Sequence, residues 1–310
     1  MAEQIVNSSE KCWLETGTLW EKIIQRTNSA RQCGALQSIE TEYQFIEQDS
    51  IPFVVRTLIN LARKEQDKEK QQAKEAKTGK RVNPFLPYEE DLFVCDISPT
   101  HLCLLNKFNV VENHLLIVTR AFEEQTELLN IQDFMALAAC MQEIDGLAFY
   151  NGGKVAGASQ PHKHLQLIPL PMIEEVTYLP IEAAIALATY NNSIGKIPSF
   201  DFRHAIALLN LSSIDNLKTA AQLMLDCYHE LLNSVGLTVN NHTQKQPGAY
   251  NFLGTKDWML IVPRSQESFK SISVNSLGFA GSLFVRDRPS LEILKQLTPM
   301  NVLRNVAVIQ

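Results

Sequence analysis

Several features that would place this chain of 310 residues in common protein classes are missing from it. No apolar run reaches about 18 residues, so no membrane-spanning helix is expected. None of its six cysteines stands in a CxxC pair, and a chain of this length needs no disulfide staples. The net charge of −6 argues against a protein that coats nucleic acid, because neutralising phosphates needs a basic surface. We therefore expect neither a membrane nor a nucleic acid as partner.

The remaining bulk features indicate a globular protein with a core, since 45% of residues are hydrophobic and 20% are charged. The first residues, MAEQIVNSSEKCW, lack a basic start followed by an apolar run, so we expect no signal peptide. Most cysteines stand among apolar neighbours and are interpreted as core residues in a reducing cytoplasm. A small anionic ligand stays possible, because a few lysines and backbone N–H groups suffice to bind it.

Hydrophobic periodicity predicts alternating helices and strands in the first half of the chain. Helices are expected over 11–34, with Trp13 and Trp20 on a common apolar stripe, and over 126–147. Strands are expected within 51–61 and, as strand–turn–strand units, within 101–120 and 148–171. The segment 83–94 carries two prolines and is expected to lead, extended, into a strand.

The second half echoes this design. Residues 249–265 repeat the order of an apolar run, a short polar turn and a hydrophobic strand that ends near an arginine, and 275–286 is expected to contain a strand. We predict a catalytic region at 1–198 and a C-terminal region of related strand–turn–strand design at 199–310, joined within 190–205.

A basic segment at 63–81 stands out in this acidic chain, with eight Lys or Arg residues against four Asp or Glu. It contains no large apolar residue, which is typical of a mobile surface loop or a solvated helix. The alternative is a loop that closes over a polyphosphate ligand.

The most informative pattern is His162-Lys163-His164-Leu165-Gln166. In a strand, alternate residues share a face, so the two imidazoles and the Gln166 amide point one way while the intervening residues point to the core. A half-exposed strand with polar side chains facing water is one alternative. A zinc site is another, but no further pair of His or Cys ligands stands nearby at metal spacing. The favoured interpretation is nucleophilic catalysis, because a neutral imidazole can attack phosphorus near pH 7.

A glycine-rich turn precedes this strand and is suited to phosphate. Gly153 and its neighbouring glycines 152 and 157 let the backbone approach a phosphate closely. Ser159 and Gln160 can donate hydrogen bonds to non-bridging oxygens, and Gln166 can do the same from the strand. The other five histidines are interpreted as core or surface residues, namely His101, His114, His204, His229 and His242.

The run Ser159 to Gln166 resembles the active-site motif of the histidine-triad superfamily in its transferase branch, where glutamine replaces the third histidine. Within that branch the chain resembles the diadenosine tetraphosphate (Ap4A) phosphorylase or ATP adenylyltransferase family. The resemblance extends over most of the chain, including 82–94, 104–120 and the C-terminal segments. The sugar-1-phosphate uridylyltransferases of the branch carry zinc-binding Cys pairs that this chain lacks, so no zinc and no metal ligand are expected, at His162 or elsewhere.

This resemblance implies an α+β fold, with a histidine-triad-like antiparallel sheet flanked by helices. It implies that His164 attacks the α-phosphorus of Ap4A, that ATP leaves, and that inorganic phosphate then releases ADP from the adenylyl-His164 intermediate. Nucleotides and inorganic phosphate are the expected partners, with Mg²⁺ or another divalent cation on the polyphosphate and adenylyl sulfate as a possible second substrate. No protein partner is predicted.

Further roles carried over from the resemblance concern binding residues. Asn106 and Lys107 are expected at the ribose or base, Asn151 at the adenylyl phosphate, and His162 is expected to act by hydrogen bonding. Lys64 and Lys270 are expected at the outer phosphates.

Two rival classes stay open at this point. A uridylyltransferase or a dinucleoside polyphosphate hydrolase would differ in zinc content and phosphate dependence. A non-catalytic nucleotide-binding or sensing protein would bind nucleotide without forming products.

Overall fold

The computed structural model describes residues 12–59, 83–173, 176–239 and 243–310. Within these ranges the helices are α1 Leu19–Cys33, α2 Ile131–Glu143, α3 Glu182–Ile185, α4 Leu217–Ser234, α5 Ser276–Phe279, α6 Arg288–Leu297 and α7 Pro299–Val306. The strands are β1 Thr41–Gln48, β2 Ile51–Leu58, β3 Phe93–Asp96, β4 His101–Leu105, β5 Leu115–Thr119, β6 Gly146–Asn151, β7 His164–Pro169, β8 Thr189–Asn191, β9 Ile194–Lys196, β10 Ala205–Leu208, β11 Tyr250–Gly254, β12 Trp258–Pro263, β13 Ser268–Phe269, β14 Ile272–Ser273 and β15 Ser282–Val285.

Ten of these strands form one sheet in the order β3-β4-β5-β7-β6-β11-β12-β10-β9-β8, and all neighbouring pairs are antiparallel. Strand β6 pairs with β11, with Tyr150 opposite Phe252, so strands from both halves of the chain share the sheet. A smaller sheet has the order β1-β2-β15, and β13 and β14 form a separate hairpin. The predicted α+β class with a helix-flanked antiparallel sheet is confirmed.

Helices α1, α2 and α4 cover one face of the large sheet. Leu165 and Leu167 of β7 lie in a hydrophobic cluster with residues of these three helices. No helix among the described residues is long and apolar enough to cross a bilayer.

The other face of the large sheet is covered in two parts. Around Phe149 of β6, the cover comes from the β1-β2-β15 sheet and the C-terminal helices. Around Leu116 of β5, a smaller cluster includes Phe85 from the segment that leads to β3. Gln166 of β7 pairs with Phe149 on one side and Leu116 on the other. Strand β7 therefore lies at the boundary between these two hydrophobic clusters.

Both predicted helices begin later than the periodicity suggests. Residues 12–18 precede α1, which buries Leu19, Ile23, Thr27 and Ala30. Trp13 and Trp20, which the apolar stripe included, are each 45% exposed and lie outside the core. Helix α2 begins after Asn130, whose side chain caps its first turn, and it ends at Glu143, before the predicted end at 147.

The predicted strand–turn–strand units are confirmed as β4 and β5, β6 and β7, and β11 and β12. The strand expected within 51–61 is β2. The region 275–286 contains the short helix α5 before strand β15, so only its second part is a strand. The basic segment 63–81, with Lys64, lies outside the described residues, and both interpretations of it stay predictions.

Candidate active site

His164 is the first residue of β7, near the middle of the large sheet. The alternation predicted for this segment is present, because Leu165 and Leu167 face the helices while His164 and Gln166 face the opposite side. His164 is 5% exposed and Gln166 is 9% exposed. The alternative of a half-exposed strand with polar side chains facing water is therefore wrong.

The hydrogen bonds of His164 fix which ring nitrogen carries the proton. Its Nδ1 lies 2.7 Å from the backbone oxygen of His162. A carbonyl oxygen can only accept, so Nδ1 donates and Nε2 keeps its lone pair. None of the described residues forms a hydrogen bond to Nε2. His164 therefore presents a free nucleophilic nitrogen.

The backbone of His164 is held by one buried side chain, Gln125. The Gln125 Oε1 accepts from the His164 N–H at 2.8 Å. Its Nε2 donates to the carbonyl oxygens of His164 at 3.2 Å and of Asn151 at 3.0 Å. This clamp joins the start of β7 to the end of β6 and limits movement of the imidazole.

Burial lowers the pKa of His164 from 6.5 to about 4, because the charged form loses solvation. The bond to the His162 carbonyl opposes this shift without cancelling it. His164 is therefore neutral at pH 7, as a nucleophile must be.

His204, from the second half of the chain, is a useful comparison. It is also buried, its Nδ1 donates to the carbonyl of Phe202 at 2.8 Å, and burial also lowers its pKa to about 4. Its Nε2, however, accepts from the backbone N–H of Ile197 at 2.8 Å. The lone pair that is available on His164 is thus already bonded on His204, which makes His204 a structural histidine.

Both nitrogens of His162 are bound within the protein. Its Nε2 donates to the carbonyl oxygen of Thr119 at 2.8 Å, and its Nδ1 accepts from the side-chain amide of Asn83 at 2.9 Å. Burial lowers the pKa of His162 as well. His162 is thus held in place next to the carbonyl group that binds His164. Its role in hydrogen bonding rather than in attack stays a prediction.

Two aromatic side chains border the histidines. The Phe85 ring lies 5.3 Å from the His164 ring and 5.6 Å from the His162 ring, both edge-on. Phe122, which is about half exposed, lies 5.4 Å from His162. These rings exclude water from one side of the imidazoles and add to the desolvation that keeps His164 neutral.

Lys163 points to the helix-covered face, where it is buried in ion pairs. Its Nζ lies 2.7 Å from Asp133 and 3.1 Å from Glu123. Burial alone would lower the pKa of Lys163, but the two facing carboxylates raise it above its ordinary value. Asp133 also closes the capping box of α2, so the catalytic strand is tied to the start of that helix.

Asn151 ends β6 and is opposite His164 when the β6–β7 register is extended from Phe149 and Gln166. Its Oδ1 accepts from the Asn251 amide at 2.9 Å, and from the backbone N–H and hydroxyl of Ser276 at 2.9 and 2.8 Å. None of the described residues accepts from the Asn151 Nδ2. The amide therefore has its N–H groups available on the side away from these donors.

The orientation of Asn151 follows from donors that cannot be reversed. The Arg264 guanidinium can only donate, and it binds the Asn251 Oδ1 at 2.6 Å, so Asn251 must turn its Nδ2 toward Asn151. Asn251, Arg264 and Ser276 all come from the second half of the chain. Residues of the C-terminal region thus orient the Asn151 amide so that its N–H groups can donate hydrogen bonds.

The Gln166 amide has a comparable arrangement. Its Oε1 lies 2.9 Å from the Nε2 of the buried His114. None of the described residues accepts from its Nε2. Gln166 and Asn151 thus lie on either side of His164. In each side chain the amide oxygen is held by a hydrogen bond and the amide nitrogen is free to donate to a ligand.

The glycine-rich turn follows β6, as predicted. Gly153 and Gly157 have φ angles of 84° and 93°, which side chains disfavour. A Cβ on Gly157 would also lie 2.9 Å from the Val274 oxygen. Ser159 is exposed and Gln160 is partly exposed, and neither side chain binds a described residue. Their phosphate-binding roles stay predictions.

The remaining predicted binding residues lie in two turns. The Asn106 side chain binds His114 and the backbone N–H of Phe108, and Lys107 pairs with Glu89 at 2.9 Å. Lys270 is exposed in the β13–β14 turn with a φ of 49°. Contact of these three residues with nucleotide stays a prediction, as does that of Lys64 outside the described residues.

Sequence reasoning missed the residues that hold the site in place. They are far from the motif in sequence, and although most lie in segments with a recognisable pattern, that pattern does not indicate a role at the site: Asn83, Phe85, Gln125, Asn251, Arg264 and Ser276. His114 was interpreted as an ordinary core or surface histidine. Across the described part of the chain, no three His, Cys, Asp or Glu side chains come together in a way that could hold a metal ion.

Two family models match the chain and together span nearly all of it. The Ap4A phosphorylase N-terminal domain matches residues 9–187, and the ATP adenylyltransferase C-terminal domain matches residues 198–309. Among curated proteins, diadenosine 5',5'''-P1,P4-tetraphosphate phosphorylase 2 of Saccharomyces cerevisiae is 30% identical over 243 residues, covering 70% of this chain and 73% of the relative. Protein APA1 of the same yeast is 26% identical over 288 residues, covering 86% of each.

The structural similarity to a solved protein also covers almost the whole chain. Yeast Ap4A phosphorylase Apa2 in complex with Ap4A superposes with a TM-score of 0.76 at 25% identity, covering 95% of this chain and 98% of that one. The same enzyme in complex with AMP gives a TM-score of 0.75 at 24% identity. The resemblance inferred from the run Ser159 to Gln166 is thus confirmed, and the chain belongs to the Ap4A phosphorylase family.

Proposed function

We propose that this protein is a nucleotidyltransferase that converts Ap4A and inorganic phosphate to ATP and ADP. The observation that carries the proposal is the His164 imidazole, which is neutral, has a free Nε2 and is flanked by two available amide donors. The family match and the likeness to an enzyme solved with Ap4A support the choice of substrate.

The first step is attack of the His164 Nε2 on the α-phosphorus of Ap4A. The new N–P bond forms as the bond from that phosphorus to the bridging oxygen breaks, and ATP leaves with the electron pair. Because the Nδ1–H bond to the His162 carbonyl remains, the positive charge that develops on the ring is stabilised at its other nitrogen.

In the second step His164 is the leaving group and inorganic phosphate is the nucleophile. A phosphate oxygen attacks the adenylyl phosphorus, the N–P bond breaks, and its electron pair returns to Nε2 as ADP is released. Each displacement inverts the phosphorus, so the net result is retention of configuration.

Negative charge on the non-bridging oxygens would be stabilised by the N–H groups of Asn151 and Gln166. Donors that are already oriented need no reorganisation during the reaction, and each is worth about a hundred- to thousand-fold in rate. Ser159, Gln160 and the backbone at Gly153 are proposed as further contacts, and Lys107 and Lys270 as contacts to the rest of the substrate.

A divalent cation, Mg²⁺ in the simplest case, is proposed to arrive bound to the polyphosphate and to neutralise part of its charge. Adenylyl sulfate is proposed as a second substrate because attack on its α-phosphorus would give the same adduct. A cytoplasmic location is proposed because the six cysteines are free thiols.

The test is to incubate the protein with Ap4A and Mg²⁺, with and without inorganic phosphate, and to resolve the nucleotides by chromatography. ATP plus ADP should appear only with phosphate. AMP plus ATP without phosphate would indicate a hydrolase, and binding without products would indicate a sensing protein. His164→Ala should abolish turnover, whereas His204→Asn is the matched control because it alters an equally buried histidine whose Nε2 is already bonded.

A further inference from the structure

Three hydrogen bonds lead from the β4–β5 turn to Gln166. The backbone N–H of Phe108 donates to the Asn106 Oδ1 at 3.2 Å, and the Asn106 Nδ2 lies 3.2 Å from the His114 Nδ1. The His114 Nε2 lies 2.9 Å from the Gln166 Oε1. We call these residues the Asn106–His114 relay. The backbone N–H of Asn106 also donates to the His114 carbonyl at 2.8 Å, which fixes the spacing of the pair.

When the imidazole is neutral, only one assignment of donors and acceptors fits this chain of hydrogen bonds. A backbone N–H can only donate, so the Asn106 atom that faces Phe108 is the oxygen and the amide N–H₂ faces His114. The His114 Nδ1 must then accept, which places the ring proton on Nε2. Since Nε2 donates, the Gln166 atom that faces it is the oxygen. The Gln166 N–H₂ group is thereby forced to the other side.

The surroundings keep the relay in this geometry. His114 is 6% exposed, and the Phe149 ring lies 5.7 Å from its imidazole. Phe149 is also the β6 residue paired with Gln166. The imidazole is therefore packed against the aromatic residue that is the cross-strand neighbour of Gln166.

We infer that His114, with Asn106 behind it, is a positioning residue that fixes the Gln166 amide as a hydrogen-bond donor toward the phosphorus bound at His164. The inference rests on the proposed function, since it assigns a role in nucleotidyl transfer. Without the imidazole, the amide is free to rotate by half a turn and to present its oxygen to the phosphate oxygens. The donor would then be replaced by a repulsive contact.

A pair of substitutions separates this role from simple packing. His114→Gln keeps an N–H group within reach of the Gln166 Oε1, whereas His114→Asn keeps the contact to Asn106 but is too short to reach Gln166. We expect His114→Asn to lower kcat about ten- to hundred-fold, with a smaller change in KM. This is less than the full loss of one oriented donor, because the unanchored amide can still turn its N–H group to the phosphate. His114→Gln should stay within about three-fold of the wild type because it restores the donor.

The same substitutions in a Gln166→Ala background complete the test. There, His114→Asn should cause no further loss of kcat, because the amide that it orients is gone. Asn106→Ala, at the partly exposed turn, gives a second test if His114→Asn does not fold. It should lower kcat several-fold in the wild type and not in Gln166→Ala.

Equal kcat losses for His114→Asn and His114→Gln, or the same loss with and without Gln166, would overturn the inference. Those outcomes are distinguishable from failure of the proposed function, because in that case the wild-type protein itself would form no ATP and ADP from Ap4A and phosphate.

Discussion

The neutral state of His164 makes a quantitative prediction for the pH dependence of stability. Its pKa is lowered from 6.5 to about 4 in the folded protein. Between these values the unfolded chain binds a proton at this residue and the folded protein does not, so stability rises with pH. His164 therefore contributes stability that is present above pH 6.5 and is lost as pH falls toward 4.

The substitution that tests this is His164→Asn. The asparagine amide can still donate to the His162 carbonyl, but it does not titrate. The two pKa values imply that His164 costs the wild type about 2 kcal/mol of unfolding free energy on going from pH 7 to pH 5. The variant avoids this loss. Its stability relative to the wild type should therefore improve by about 2 kcal/mol over the same interval.

The assay is reversible urea unfolding of both proteins at several pH values between 5 and 7. The contribution of His204, whose pKa is also about 4, is present in both proteins and cancels in the difference. A difference that does not change with pH would refute the reasoning, because it would mean that His164 titrates alike in the folded and unfolded chains.

Three further substitutions test the surroundings of the nucleophile. His162→Ala should lower kcat about a hundred-fold or more while leaving activity that can be measured, since it removes a hydrogen-bonding support and not the nucleophile; complete loss in a folded variant would contradict this. Asn251→Asp cannot donate to the Asn151 Oδ1, so steady-state assays should find kcat lowered about ten-fold or more, and an unchanged kcat would mean that Asn151 needs no anchor. Lys163→Met leaves Asp133 buried without its ammonium partner, and thermal or urea unfolding should give a loss of about 3–5 kcal/mol, whereas a loss below about 1 kcal/mol would show that the ion pair is not tightly coupled to folding.

The local pattern of the sequence was sufficient to predict the central strand and its two faces. His162, His164 and Gln166 alternate with residues that face the helices, and a period of two is a property of any strand. The preceding turn was predictable too, because Gly153 and Gly157 mark positive φ angles. Sequence also predicted the three main strand–turn–strand units, since each is bounded by polar or glycine-containing turns.

The supports of the site could not be predicted, because they come from distant parts of the chain. Ser276 binds Asn151 across 125 residues of sequence, and Gln125 clamps His164 across 39. No period or spacing records such contacts. The burial of His164 was also not predictable from alternation, because the residues that cover it belong to other segments, including Phe85.

The ends of helices were the least predictable feature of the fold. Trp13 and Trp20 extend the apolar pattern of α1, yet both are largely exposed, because large apolar side chains are common on protein surfaces. Helix α2 starts where Asn130 and Asp133 form a capping box, and this local signal locates the helix start better than the apolar pattern.

The most direct test of the central claim is the mass of the intact protein after brief reaction with Ap4A and Mg²⁺ in the absence of phosphate. We expect an increase by one adenylyl group, located on His164 by peptide mapping, which disappears with release of ADP when phosphate is added. Turnover without such an adduct, or an adduct on His162 or any other residue, would contradict the role assigned to His164.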